Sequence, residues 1–137
     1  MPRSLAVYLK ATDVPTRKVL QKAIDQLKLG LTLDEAYTPF EMAGYLPCTL
    51  NGEDAGFDMW FKNHPWEFVV PAAVQPLVKD RDVAILCKWG GDPREAASAA
   101  IVCAVLVKDF GAVVHEGRGE TLLSSDDLLA KAKAALA

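Results

Sequence analysis

The stretch from Asp82 to Phe110 constrains the fold more than any other part of the chain. Asp82–Trp89 has apolar side chains on both faces of the strand that it predicts, so this strand should be central in a sheet. After Gly90-Gly91, the run Asp92-Pro93-Arg94-Glu95 supplies an N-cap, a first-turn proline and an acidic third residue. The helix that follows runs to Phe110 and is apolar nearly all round. Because such a helix needs cover on every side, the strand and helix together predict the centre of a globular core.

The N-terminal part predicts a strand followed by a helix. Ser4–Lys10 is the strand, and Asp13-Val14-Pro15-Thr16 is typical of a helix start because it offers a capping side chain and an early proline. Gly30 should end this helix. Its apolar stripe consists of Leu20, Ile24, Leu27 and Leu31. A helix with a single apolar stripe is expected to pack on one face of a sheet.

The middle of the chain predicts a β-hairpin. Tyr45–Leu50 leads into Asn51-Gly52, a strong hairpin turn signal, and Phe57–Lys62 then alternates with the period of a half-buried strand. Residues 31–43 show no clear period. Residues 63–81 contain three prolines and predict a long connection with a short helical turn near residues 72–78.

The C-terminal part predicts a strand and a last helix. Ala112–Glu116 is the strand, and Glu120–Leu123 should pair back beside it. Ser124 or Ser125 should cap the final helix, which is expected to have one apolar face. That face consists of Leu128, Leu129, Ala132 and Leu136.

The element order β-α-β-β-β-α-β-α predicts a single α+β domain over residues 1–137. The expected architecture has two layers, with a mostly antiparallel sheet of four or five strands and the helices packed on one face. The order also fits a split βαβ arrangement related to the ferredoxin-like fold, with one additional hairpin strand.

Composition favours a cytoplasmic protein without a cofactor or metal. The chain has 137 residues, of which 51% are hydrophobic and 24% charged, and its start does not resemble a signal peptide. The longest nearly apolar run, 96–107, is shorter than the ~20 residues that a membrane-spanning helix needs. The three cysteines, Cys48, Cys87 and Cys103, form no Cys-x-x-Cys pair, so buried reduced thiols are expected rather than a disulfide or zinc site.

The sequence assigns no catalytic residue. The Gly90-Gly91 junction lacks the glycine spacing of phosphate-binding loops, and Asp92 and Glu95 place carboxylates where an anion would bind. One enzymatic alternative remains, in which a small enzyme or small-molecule binder has a pocket between the sheet and the 63–76 loop. The residues expected to line that pocket are His64, Trp66, Glu67 and His115.

The segment 37–68 is the main functional lead. It holds eight of the eleven aromatic residues, and residues 31–75 carry seven acidic side chains against one basic side chain. Alternation places Trp60 on the polar face of its strand, next to acidic residues, where an aromatic side chain can serve as an interface anchor. The alternative is that the 63–76 loop folds back over Trp60. The residues predicted to bind a partner are Glu53, Asp54, Asp58, Trp60, Lys62 and Trp66.

The expected partner is a protein more basic than this chain. Nucleic acid is not expected, because the basic face of the first helix has no aromatic platform beside it, and a membrane partner is not expected either. Self-association through the edge of the predicted hairpin is a further alternative.

Two stretches resemble known proteins. The first is Gly44-Tyr45-Leu46-Pro47 with Asn51-Gly52 and Gly56-Phe57. The second is Trp89-Gly90-Gly91-Asp92 with Glu95, the alanine-rich helix and Gly111-Ala112-Val113-Val114. Together they resemble small uncharacterised proteobacterial proteins, some of them similar to immunity proteins of secreted-toxin systems, and a Burkholderia-type hypothetical antigen. The resemblance favours a binding role over an enzymatic one and assigns no catalytic residues.

Overall fold

A computed structural model of the chain describes residues 3–117 and 119–137. Short 3-10 turns lie at residues 11–13 and 75–77, the second within the predicted helical turn. No helix in these ranges has the length and apolar character needed to cross a membrane. The strands and α-helices are β1 (Ser4–Leu9), α1 (Arg17–Asp25), β2 (Leu31–Leu33), β3 (Ala43–Leu46), β4 (Cys48–Leu50), β5 (Glu53–Asp54), β6 (Phe57–Asn63), β7 (Val83–Lys88), α2 (Pro93–Phe110), β8 (Val113–Glu116) and α3 (Ser125–Leu136).

The main sheet has five antiparallel strands in the order β3-β6-β7-β1-β8, which confirms the predicted α+β class. Within it, β1 and β6 run parallel on either side of β7, and β7 and β8 run parallel on either side of β1. These are two interleaved split βαβ units, as expected for a ferredoxin-like arrangement. Strand β3 is the additional hairpin strand at the edge. A second sheet, with the order β2-β4-β5, was not predicted from the sequence.

The core lies between one face of the main sheet and the three helices. Helix α2 is buried continuously from Ala97 to Leu106, as its apolar sequence predicts, and β7 is central. Asp92 caps α2, and Gly111 ends it in the left-handed conformation that glycine tolerates best. Helix α3 begins after Ser124, whose side chain and that of Asp127 form a capping box. The predicted return segment contacts β8 through a single bridge between His115 and Leu122.

The predicted hairpin between residues 45 and 62 is correct only at its start. Tyr45 pairs with Asp58 and Leu46 with Phe57, but the pairing does not continue past Pro47. The Asn51-Gly52 turn exists, with positive φ at both residues, but it joins β4 to β5. Strand β6 pairs instead with β3, on the other side of Pro47. Proline has no N–H for a ladder, so the extended run 45–50 divides there and its halves join different sheets.

The predicted first helix also differs at both ends. Thr16, not Asp13, is the N-cap, because its hydroxyl accepts a hydrogen bond from the N–H of Val19 at 3.3 Å. The helix ends at Asp25, and Leu31 lies in β2, opposite Leu50. Its burial therefore comes from the second sheet rather than from a helical stripe.

The three cysteines are free and buried, so we expect them to be unreactive in the folded protein. Burial raises the pKa of the Cys48 thiol to about 12, and the pKa of Cys103 is raised by a hydrogen bond with Cys87 and by burial. Thiolate, the reactive form, is therefore scarce for both groups at about pH 8.

In the folded protein, Ellman's reagent should react with the cysteines without a fast phase. In guanidinium chloride, all three thiols should react. A fast native phase would contradict this packing.

Candidate binding surface

The candidate site lies on the second face of the main sheet, opposite the helices. Residues directly opposite each other on neighbouring strands share a face. One row of this face crosses all five strands and consists of Ala43, Trp60, Leu86, Ala6 and His115. The connection between β6 and β7 folds back over part of this face. The face is therefore divided into a covered half near β1 and an open half near β6.

The covered half is a small second core built around Tyr8. The Tyr8 side chain is fully buried, and its ring centroid lies 5.1 Å from that of Trp66 and 6.3 Å from that of Phe68. Val74 and Val78 of the same connection are buried beside it. The Trp66 indole N–H also donates to the backbone carbonyl of Lys62 at 3.2 Å. These contacts explain how a proline-rich connection with only one short 3-10 turn is held on the sheet.

His115 is buried in this second core and has a structural role. Its Nδ1 lies 2.6 Å from the backbone carbonyl oxygen of Glu116, and its Nε2 lies 2.9 Å from the Tyr8 hydroxyl. Because a carbonyl only accepts, Nδ1 carries a proton, and in the neutral imidazole Nε2 then accepts from the Tyr8 hydroxyl. Burial raises the pKa of Tyr8 to about 12, which keeps the phenol protonated as a donor. Both imidazole nitrogens are thus occupied by protein partners.

The residues of the alternative pocket do not converge on one cavity. A cavity of about 250 Å³ is bordered by His115, with Phe68 and Lys88. A second, of about 430 Å³, is bordered by Glu67 and Lys62, and a third of about the same volume by His64. Trp66 borders the second and third cavities, and its ring lies 5.1 Å from that of His64. None of these three cavities combines a histidine with a carboxylate, the convergence that would have favoured the enzymatic alternative.

The open half is centred on Trp60, which is partly exposed opposite Leu86. The Lys88 ammonium lies 5.8 Å from the centroid of the indole ring, within the range of a cation–π contact. Tyr45 on β3 is 53% exposed, and Val69 in the connection is 90% exposed. We name this region the Trp60 surface and define it as Asp58, Trp60, Lys62, Leu86 and Lys88, together with Phe68, which lies at its border with the covered half. Aromatic and aliphatic side chains are thus accessible together on a folded sheet face.

Three of the six predicted partner-binding residues belong to this surface, and a fourth lies beside it. Asp58, Trp60 and Lys62 alternate along β6 on the same face, and Trp66 lies in the connection beside Lys62. The remaining two, Glu53 and Asp54, lie on β5 in the other sheet. Glu53 is paired there with the Arg94 guanidinium of α2.

Sequence reasoning missed Leu86, Lys88 and Phe68. The alternation of β7 does place Leu86 and Lys88 on one face of that strand, but their position beside Trp60 depends on the pairing of β6 with β7. Their side chains also change the local charge. Lys62 and Lys88 face Asp58 and Glu67 around the same surface, so the acidic excess of the sequence segment is absent at Trp60 itself.

The Gly90-Gly91 junction is occupied by helix capping. The Asp92 carboxylate accepts from the N–H of Arg94 at 2.8 Å, and the Glu95 carboxylate accepts from the N–H of Gly90 at 3.0 Å. A cavity of about 480 Å³ lies beside this junction, between α2, α3 and the sheet. Its lining is mainly apolar or small, with Trp89 and Ala100 among its members.

Titration of the cap predicts acid sensitivity of α2. The hydrogen bond from the Arg94 N–H lowers the pKa of Asp92 in the folded state. This stabilisation is therefore complete above the unfolded pKa of about 3.9 and is lost as pH falls through the lower folded value. Asp92→Ser keeps a capping oxygen that does not titrate there. Its melting temperature should fall less than that of the wild type between about pH 5 and pH 2. An equal fall in melting temperature for the two proteins would contradict a stabilising role for the ionised Asp92 cap.

In the part of the chain that the structure describes, no group of three or more His, Cys, Asp or Glu side chains is placed to hold a metal ion. Comparisons with protein-family models, with curated proteins and with solved structures found no match to this chain.

Proposed function

We propose that this chain is a non-enzymatic protein-binding domain and that the Trp60 surface is its binding face. The observation that carries the proposal is a partly exposed tryptophan on an open sheet face, between the aliphatic Leu86 and the charged Lys62 and Lys88. Affinity at protein interfaces is concentrated in such aromatic anchors, with charged residues around them.

The shape of the surface, which has two depressions, supports the same proposal. Leu86 and Phe68 both border the 250 Å³ cavity and the neighbouring 430 Å³ cavity, so a depression lies on each side of these two residues. Depressions of this size accept single side chains of a partner, and close packing into them excludes water around the anchor.

Apolar anchoring, rather than net charge, should dominate the affinity. The expectation of a basic partner came from the seven acidic residues of segment 31–75, and two of these, Glu53 and Asp54, lie on β5 in the other sheet. Charged side chains outside the contact surface affect the rate of encounter more than the stability of the complex. If the partner is basic, added salt should lower its association rate and leave its dissociation rate nearly unchanged.

The resemblance to immunity proteins leads to one specific proposal, that the partner is a toxin whose gene lies next to the gene for this chain. The genes beside it test this directly. An adjacent toxin-like reading frame would support the proposal, and a metabolic operon around the gene would contradict it.

Affinity capture with variants tests the binding face. The tagged wild type and Val19→Ala should recover the same protein, because Val19 is an exposed apolar residue on α1, in the opposite layer. The double variant Trp60→Ala with Asp58→Lys should lose that protein while keeping its folded spectrum. Recovery of the same protein by the double variant would show that binding occurs elsewhere.

A further inference from the structure

The two edges of the main sheet differ in whether another segment of the chain is hydrogen-bonded to them. Outside β8, the chain returns so that His115 forms a bridge with Leu122, and the N–H of Leu123 donates to the carbonyl of Val114 at 2.9 Å. Outside β3, no strand is paired in the described part of the chain. Unpaired edges are templates for another strand, and natural proteins usually protect them.

The hydrogen-bond pattern identifies the free groups of β3. Phe61 donates its N–H to the carbonyl of Met42 at 2.9 Å, next to the first residue pair of the β3–β6 ladder. Antiparallel ladders alternate, so Gly44 and Leu46 also direct their backbone groups inward, to β6. Ala43 and Tyr45 then direct their N–H and C=O groups outward. Both residues are exposed, and these groups have no hydrogen-bond partner within residues 3–117 and 119–137.

We propose that β3 is a self-association edge that binds β3 of a second copy of this chain in antiparallel register. Ala43 of one copy would lie opposite Tyr45 of the other, with Gly44 on the two-fold axis. Each Ala43–Tyr45 pair exchanges two hydrogen bonds, so every outward N–H faces an outward C=O of the other copy. The electrostatic complementarity of the two edges is therefore complete, and the contact is isologous.

The side chains fit the same register. On the face that carries Trp60, the small Ala43 would meet the larger Tyr45, which is 53% exposed. At the axis, a Cβ on Gly44 would have no atom within 4 Å, so the glycines can approach to the ~4.5 Å Cα separation of a non-hydrogen-bonded pair. Strand β3 carries no charged side chain that would oppose pairing. The two sheets would then form one continuous sheet, with both Trp60 surfaces on the same side.

Sedimentation equilibrium of the full chain tests the proposal without any other ligand. Because β3 has only four residues, we expect weak association, so the range should run from about 10 to about 500 µM. The weight-average mass of the wild type should rise from 14.8 kDa towards twice that value. Ala43→Lys should remain at the mass of one chain because its side chain occupies the position of the facing Tyr45. Val19→Lys, the matched control on α1, should associate like the wild type.

Amide hydrogen exchange supplies a second readout of the same edge. In the wild type, exchange at Ala43 and Tyr45 should slow by about tenfold or more at the highest concentration, as expected for groups that become hydrogen-bonded. A wild type that stays at the mass of one chain throughout the range would overturn the proposal. So would Ala43→Lys that associates as strongly as Val19→Lys. Partner capture through Trp60 is a separate measurement, so either proposal can fail alone.

Discussion

Trp60→Ala should weaken partner binding by about thirtyfold or more while the chain stays folded. Truncation of an interface hot spot costs about 2 kcal/mol or more, which corresponds to that factor in the dissociation constant. The indole ring is well placed for this role because Leu86 lies opposite it and Lys88 lies over it, so the ring is positioned before a partner arrives. Little side-chain entropy then has to be lost on binding.

Titration calorimetry with the purified partner measures this effect. Trp60→Phe is the conservative companion, since it keeps an aromatic ring on the same face and should lose less affinity. Val19→Ala, in the opposite layer, should bind like the wild type. A change of less than about threefold for Trp60→Ala would mean that Trp60 is not an anchor of the interface.

Tyr8→Ala should lower the free energy of unfolding by about 3–5 kcal/mol. The side chain is fully buried, and its ring contacts Trp66, Phe68 and His115, so its removal leaves a cavity between the sheet and the connection. Tyr8→Phe isolates the hydroxyl. It should cost about 1–3 kcal/mol, because Nε2 of the buried His115 loses its donor.

Denaturant unfolding followed by tryptophan fluorescence checks both Tyr8 variants. If the Tyr8–His115 contact has the geometry described, Tyr8→Phe should cost much less in a His115→Phe background, where no acceptor remains to be left unpaired. Equal costs in the two backgrounds would contradict a Tyr8–His115 hydrogen bond that stabilises the fold.

The centre of the fold was predictable because its signals are local. The apolar run within Asp82–Trp89, the break at Gly90-Gly91 and the cap at Asp92 lie within a short stretch and agree with one another. Local patterns that agree in this way specify one structure. The same holds for the Ser124 cap and for the face of β6 on which Trp60 lies.

The partners of the strands and the contacts across the sheets depend on long-range pairing, which local patterns do not determine. The period-2 pattern on either side of Pro47 indicates strands but not the sheet that each joins, and the tight turn at Asn51-Gly52 made the wrong partner look suitable. The Tyr8–His115 contact joins residues 107 positions apart. Leu86 and Lys88 reach Trp60 only through the β6–β7 register, so their part in the candidate surface was not visible in the sequence.

Hydrogen exchange of the purified complex with its partner would test the central claim most directly. If the partner binds at the Trp60 surface, protection should increase in segments 57–63, 66–69 and 84–88, and helix α1 should be unchanged. Protection confined to β5 or to the helices, with the Trp60 segments unchanged, would contradict the proposed binding face.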